Sequence, residues 1–167
     1  MKKIGIIIGA ALLMYACNDG DLEVESISFD NTDVLSCTSD TTATFLFKYT
    51  SQQALILTLP SGALTQQEGT ITGEIPTEYG LYYRDFNATV STAYFCSDYP
   101  PSSPSVIVEI AATGGTISIE TKAIYDENTG TLLRYDHLIT IADLVMVNSK
   151  GEKLVDSNFI FGTYQTR

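Results

Sequence analysis

The chain has 167 residues, 44% of them hydrophobic, with 20 acidic and nine basic side chains and a formal net charge of −11. That balance repels phosphate backbones and leaves no extended basic surface, so it argues against nucleic acid as a partner and against docking on anionic lipid headgroups. The length left behind residue 16 suits one domain with its own core, and a second domain is not expected.

Residues 1–16 open with Met1-Lys2-Lys3, run from Ile4 to Leu13 almost without a polar atom, and end in Met14-Tyr15-Ala16 ahead of Cys17. This is the order of an export signal: a charged start, an apolar stretch and a small residue before the cut. An apolar run of about ten residues is too short to cross a bilayer core of roughly 30 Å as a helix. The segment 1–21 resembles the signal peptides of bacterial lipoproteins, in the looser form found in Bacteroidetes-type bacteria. Ala16 fits the small position before the cysteine, while Met14 stands where Leu is usual and Tyr15 where a small residue is usual. The resemblance implies that a peptidase cuts before Cys17 and that the Cys17 thiol is the lipid attachment site. It also implies a protein held by lipid on a membrane surface; with the acidic residues behind Cys17 the expectation is the outer membrane, lipid-anchored, on the surface-exposed or the periplasmic face. One acyl chain binds a membrane reversibly, whereas two or more hold it. An ordinary secretory signal followed by a chance cysteine is the competing reading.

Residues 17–23, with Asn18-Asp19-Gly20-Asp21-Leu22-Glu23, read as an acidic tether. They resemble the acidic export tag behind the acylated cysteine of surface lipoproteins. A calcium loop is the alternative, but a twelve-residue ligand spacing closing on Glu is missing. No metal and no cofactor is expected. With Cys17 assigned to lipid, Cys37 and Cys96 remain as an even pair in an oxidising compartment and read as a disulfide. Closing a loop of about 60 residues contributes roughly 4 kcal/mol in the chain-entropy picture. Two buried free thiols are the alternative; a metal pair lacks a Cys-x-x-Cys and has only His137 to help it.

Residues 24–167 are rich in Thr, Ile, Val, Tyr and Phe and show no helix start followed by a 3.6-residue period. Strands are expected at 24–29, 43–49, 54–59, 70–75, 81–86 and 88–96. A stiff loop over Tyr99-Pro100-Pro101-Ser102-Ser103-Pro104 follows, since proline lacks the ladder donor. A strand at 105–110 is expected to bury Val106, Val108 and Ile110, and Gly114-Gly115 to turn the chain into a strand at 116–125. Hairpin loops at 126–130 and 148–151 flank one long strand at 132–147, whose spacing also fits a helix, and 153–161 returns as the last strand. Eight to ten strands with regular turn signals point to an all-β fold, a two-sheet antiparallel β-sandwich of immunoglobulin-like type behind the signal helix. Without tryptophan, the Cys–Trp–Cys core of antibody domains is missing.

Chemistry-bearing patterns are sparse. His137 is the only histidine, with Asp136 and Asp143 close in sequence, yet no Gly-x-Ser-x-Gly elbow exists; a packed structural histidine is the default. Tyr79, Tyr82, Tyr83, Tyr94 and Tyr99 fall close together and form the candidate ligand surface, because tyrosine joins a flat apolar ring to a polar tip. Alternating core and rim positions of a β fold are the plainer account. Asp40-Thr41-Thr42 resembles the short pattern on which some Bacteroidetes attach O-linked glycans, with Thr41 as acceptor. Asn87-Ala88-Thr89 matches an N-glycosylation acceptor that a bacterial protein leaves unused. The leading expectation is a lipid-anchored, non-enzymatic binding or interaction module at the outer membrane, with an envelope protein or a glycan as partner. A structural envelope component without a small ligand is the second reading, and a hydrolase of extracellular polymers the third.

Overall fold

The computed structural model describes residues 28–167 apart from Pro100. The expected signal segment and its expected helix, Cys17 and the expected acidic tether lie outside the described residues. Eight strands and one helical turn follow in order: β1 (Leu35–Ser36), β2 (Phe45–Tyr49), β3 (Gln53–Thr58), β4 (Gly69–Ile75), β5 (Gly80–Phe86), α1 (Thr92–Cys96), β6 (Val106–Tyr125), β7 (Leu132–Val147) and β8 (Lys153–Thr166). They form one antiparallel sheet in the order β1-β2-β3-β5-β6-β7-β8, with β4 paired to β6 as well.

The expected two-sheet sandwich is therefore incorrect: the chain makes a single curled sheet, a half-barrel. A sandwich keeps two sheets that share no hydrogen-bonded strand. Here β6 is 20 residues long and belongs to both halves, pairing with β5 near its start and with β4 and β7 further on. The curl folds the inner face of the sheet on itself. Leu46, Leu55, Leu57 and Leu81 of β2, β3 and β5 thereby meet Ile117, Ile119, Ile139, Ile141 and Phe161 of β6, β7 and β8. Each such side chain taken out of water contributes about 1.5–3 kcal/mol.

Gly114 and Gly115 do not turn the chain; they bend β6. Register shifts flank Gly114, and Gly115 has φ +141°. A Cβ on Gly115 would stand 2.9 Å from Ile141 Cγ2 and 3.3 Å from the Ala142 carbonyl oxygen, so only glycine lets the bent strand lie this close to β7. The residues before the bend are not buried as expected. Val106, Ile107 and Val108 are exposed, and a bulge opposite Asp85 and Phe86 leaves Ile107 without a partner.

The segment 88–96 is also not a strand, but a loop and α1. A strand would send Tyr94 and Phe95 to opposite faces. In one helical turn both reach Phe86, with ring centroids 5.0 and 6.4 Å away, and Phe95 stacks on Phe47 at 4.4 Å. This aromatic cover shields the outer face of β2, β3 and β5, which is why both faces of β2 and β3 are buried. The Cys37–Cys96 disulfide pins the end of α1 beside β1, with the Cα atoms 5.3 Å apart. Ser28 and Phe29, the described part of the strand expected at 24–29, are not in a strand.

Candidate ligand cleft at the seam of the sheet

Because the sheet curls without closing, its two ends, β1–β2 and β8, face each other across a seam. A cleft of about 620 Å³ runs along it. One wall is the segment before β1, with Phe29, Asp30, Thr32, Asp33 and Val34; the other is β8, with Phe159, Ile160, Gly162, Thr163, Tyr164 and Gln165. The first wall is shaped by a tight turn in which the Phe29 carbonyl accepts bonds from the Thr32 N–H at 3.1 Å and the Thr32 hydroxyl at 2.8 Å. Phe29 is buried by that turn while Asp30 and Asp33 stay exposed at the rim.

The second wall owes its shape to a bulge. Ile139 pairs with Gly162 and Thr140 with Ile160, so Phe161 has no partner in the ladder. Its ring is fully buried, and its carbonyl accepts a bond from the Lys48 ammonium at 3.0 Å. Gly162, at φ +132°, allows the approach, since a Cβ there would stand 2.8 Å from Val34 Cγ2. Tyr164 adds a second tie across the seam by donating its hydroxyl to the Thr38 carbonyl.

Lys48 is the unusual group of the cleft. Only 6% of it is exposed; its stem shares the inner face with Leu46, and the residue is part of the cavity lining. Burial holds its pKa below the ordinary lysine value, and the nearby Asp30 and Asp33 carboxylates partly offset this by favouring the charged form. An ammonium has three N–H donors, and the Phe161 carbonyl takes one. The cleft thus offers donors at its floor, carboxylate acceptors at its rim and apolar rings on its walls.

The five tyrosines of the expected ligand surface occupy different settings. Tyr79 is buried with its ring over Gly73, Tyr83 packs against the core, Tyr82 lies near Gly80, Tyr94 sits in the aromatic cover and Tyr99 is exposed in the proline-rich loop. His137 is fully buried between two hydroxyls, with Thr121 Oγ1 2.9 Å from Nδ1 and Thr166 Oγ1 2.9 Å from Nε2. Burial lowers its pKa, and Asp136 opposes that weakly while bonding to Arg134. Both ring nitrogens are thereby engaged away from any serine. Thr41 is half-buried in a turn where Asp40 accepts bonds from the Thr42 N–H and hydroxyl. The Asn87 side chain accepts a bond from the Ser105 N–H at 2.9 Å. Among the described residues no group of three or more His, Cys, Asp or Glu is placed to hold a metal.

Lys48, Asp30, Asp33 and the Phe161–Gly162 bulge did not stand out in the sequence. The one available signal was a lysine sharing a strand face with Leu46. The chain matches no protein-family model, no curated protein and no solved structure.

Proposed function

We propose that the protein is a lipid-anchored envelope protein of the outer membrane that acts as a non-enzymatic binding module, with the seam cleft as its ligand site. The observation that carries the binding reading is the buried Lys48 ammonium on the floor of a cleft of about 620 Å³. That volume lies in the range of small-ligand sites, roughly 300–1,000 Å³, and combines apolar walls with a few converging polar groups. The anchor reading rests on Met1 to Cys17, and the Cys37–Cys96 disulfide supports an oxidising compartment.

Two measurements test it. In cells, Cys17→Ser leaves an unlipidated protein that no longer floats with membranes; flotation that survives high salt would remove the anchor. Hydrogen exchange of the full chain with an envelope polysaccharide fraction should show protection in segments 29–34 and 159–165. Protection confined to other segments would place the binding site elsewhere.

A further inference from the structure

We infer that the seam cleft selects a neutral, hydroxyl-rich ligand, a sugar ring in preference to an anion, with Lys48, Asp30 and Asp33 as its polar contacts. This rests on the cleft being the ligand site of the module. The cleft presents donors and acceptors at once. Lys48 bonds the Phe161 carbonyl with one N–H and has further donors for oxygen acceptors, whereas the rim carboxylates of Asp30 and Asp33 accept only. A hydroxyl does both jobs, since its oxygen accepts from the ammonium and its hydrogen is donated to a carboxylate. Neighbouring hydroxyls on one ring can therefore satisfy both groups together.

An anion fits less well. It would gain Lys48 but meet two carboxylates at the entrance of a chain whose formal charge is already −11. A purely apolar ligand would leave the ammonium with the Phe161 carbonyl alone and its remaining N–H donors without acceptors. The walls supply what the hydrophobic face of a sugar ring needs, in the rings of Phe29 and Phe159 beside Val34. Thr32, Thr163 and Gln165 add further hydroxyl and amide partners along the opening.

The test uses the full lipidated protein in detergent micelles and ligand-observed NMR. The probes are a panel of neutral hexose, pentose and N-acetylhexosamine disaccharides, the same sizes carrying a uronate, and free zwitterionic amino acids. The expected result is saturable binding of a neutral member, with its uronate counterpart weaker by about tenfold. Lys48→Met should weaken the neutral ligand by at least about tenfold, the worth of one charge-assisted hydrogen bond. Asp30→Asn and Asp33→Asn, at exposed positions that leave the fold intact, should each weaken it by roughly three- to tenfold. Tighter binding of the uronate, or unchanged binding in both aspartate variants, overturns the inference. Binding of amino acids alone, lost in Lys48→Met, overturns the sugar class but keeps the cleft as a ligand site. No response to any probe class overturns both.

Discussion

The Lys48 ammonium donates to the Phe161 carbonyl at 3.0 Å across the seam, joining β2 to β8 over 113 residues of chain. Lys48→Ala loses a charge-assisted bond and the buried stem, and should cost about 2–4 kcal/mol in urea unfolding. Lys48→Met keeps the stem volume and removes the penalty of burying a charge, so its loss should be less than half as large. Equal losses in the two variants would show that the bond, not the packed stem, holds the seam.

His137 should make stability depend on pH. Its folded pKa is lowered by burial, so as pH falls below about 6.5 the unfolded chain takes up a proton that the folded chain refuses. Stability contributed by the neutral ring is full above that pH and declines as pH falls toward the folded value. His137→Gln should flatten the slope of unfolding free energy between pH 5 and 7, by roughly the share of one titrating group. His137→Leu leaves the buried Thr121 and Thr166 hydroxyls without their ring partner and should cost about 2–4 kcal/mol. A pH slope unchanged in His137→Gln would assign it to other groups.

The disulfide links positions 59 apart and holds α1 against the outer face. Reduction, or paired Cys37→Ser and Cys96→Ser, should lower stability by about 2–4 kcal/mol. Freed of its tie, α1 should loosen from Phe47 and Phe86 and expose aromatic surface. Thermal melts with and without reductant, followed by a hydrophobic dye, report both effects. A lower melting temperature without dye binding would mean that α1 stays seated without the bond.

Gly114 and Gly115 should differ sharply although they are neighbours. Gly115→Ala combines φ +141° with a Cβ 2.9 Å from Ile141 and should cost about 1–3 kcal/mol. Gly114→Ala meets nothing closer than Val145 at 3.8 Å and should stay within about 1 kcal/mol of the parent. Equal sensitivity at both positions in chemical denaturation would contradict a strand that runs through the bend.

Much of the strand pattern was legible because it is local. The alternation in Phe45–Tyr49 and Gln53–Thr58, the Asp126–Gly130 and Asn148–Gly151 loops, and the long strand Leu132–Val147 all rest on side chains close in sequence. The single turn of α1 was not, because Tyr94 and Phe95 adopt it to cover Phe86 and Phe47, which lie elsewhere in the chain. The exposed Val106–Val108 run was misread for the same reason: apolar character says nothing of what lies opposite.

By itself the sequence determined an all-β chain, the positions of most strands, and two cysteines able to pair. Period-two alternation groups the residues that share a face, and it reads the same in a sandwich as in a curled sheet. Only the tertiary structure decided that β6 serves both halves of one sheet, that Gly115 bends instead of turning, and that Lys48 reaches Phe161. Each depends on an approach between distant segments, in the pairing of β6 with β4, β5 and β7, at Ile141 and across the seam, which no window of sequence contains.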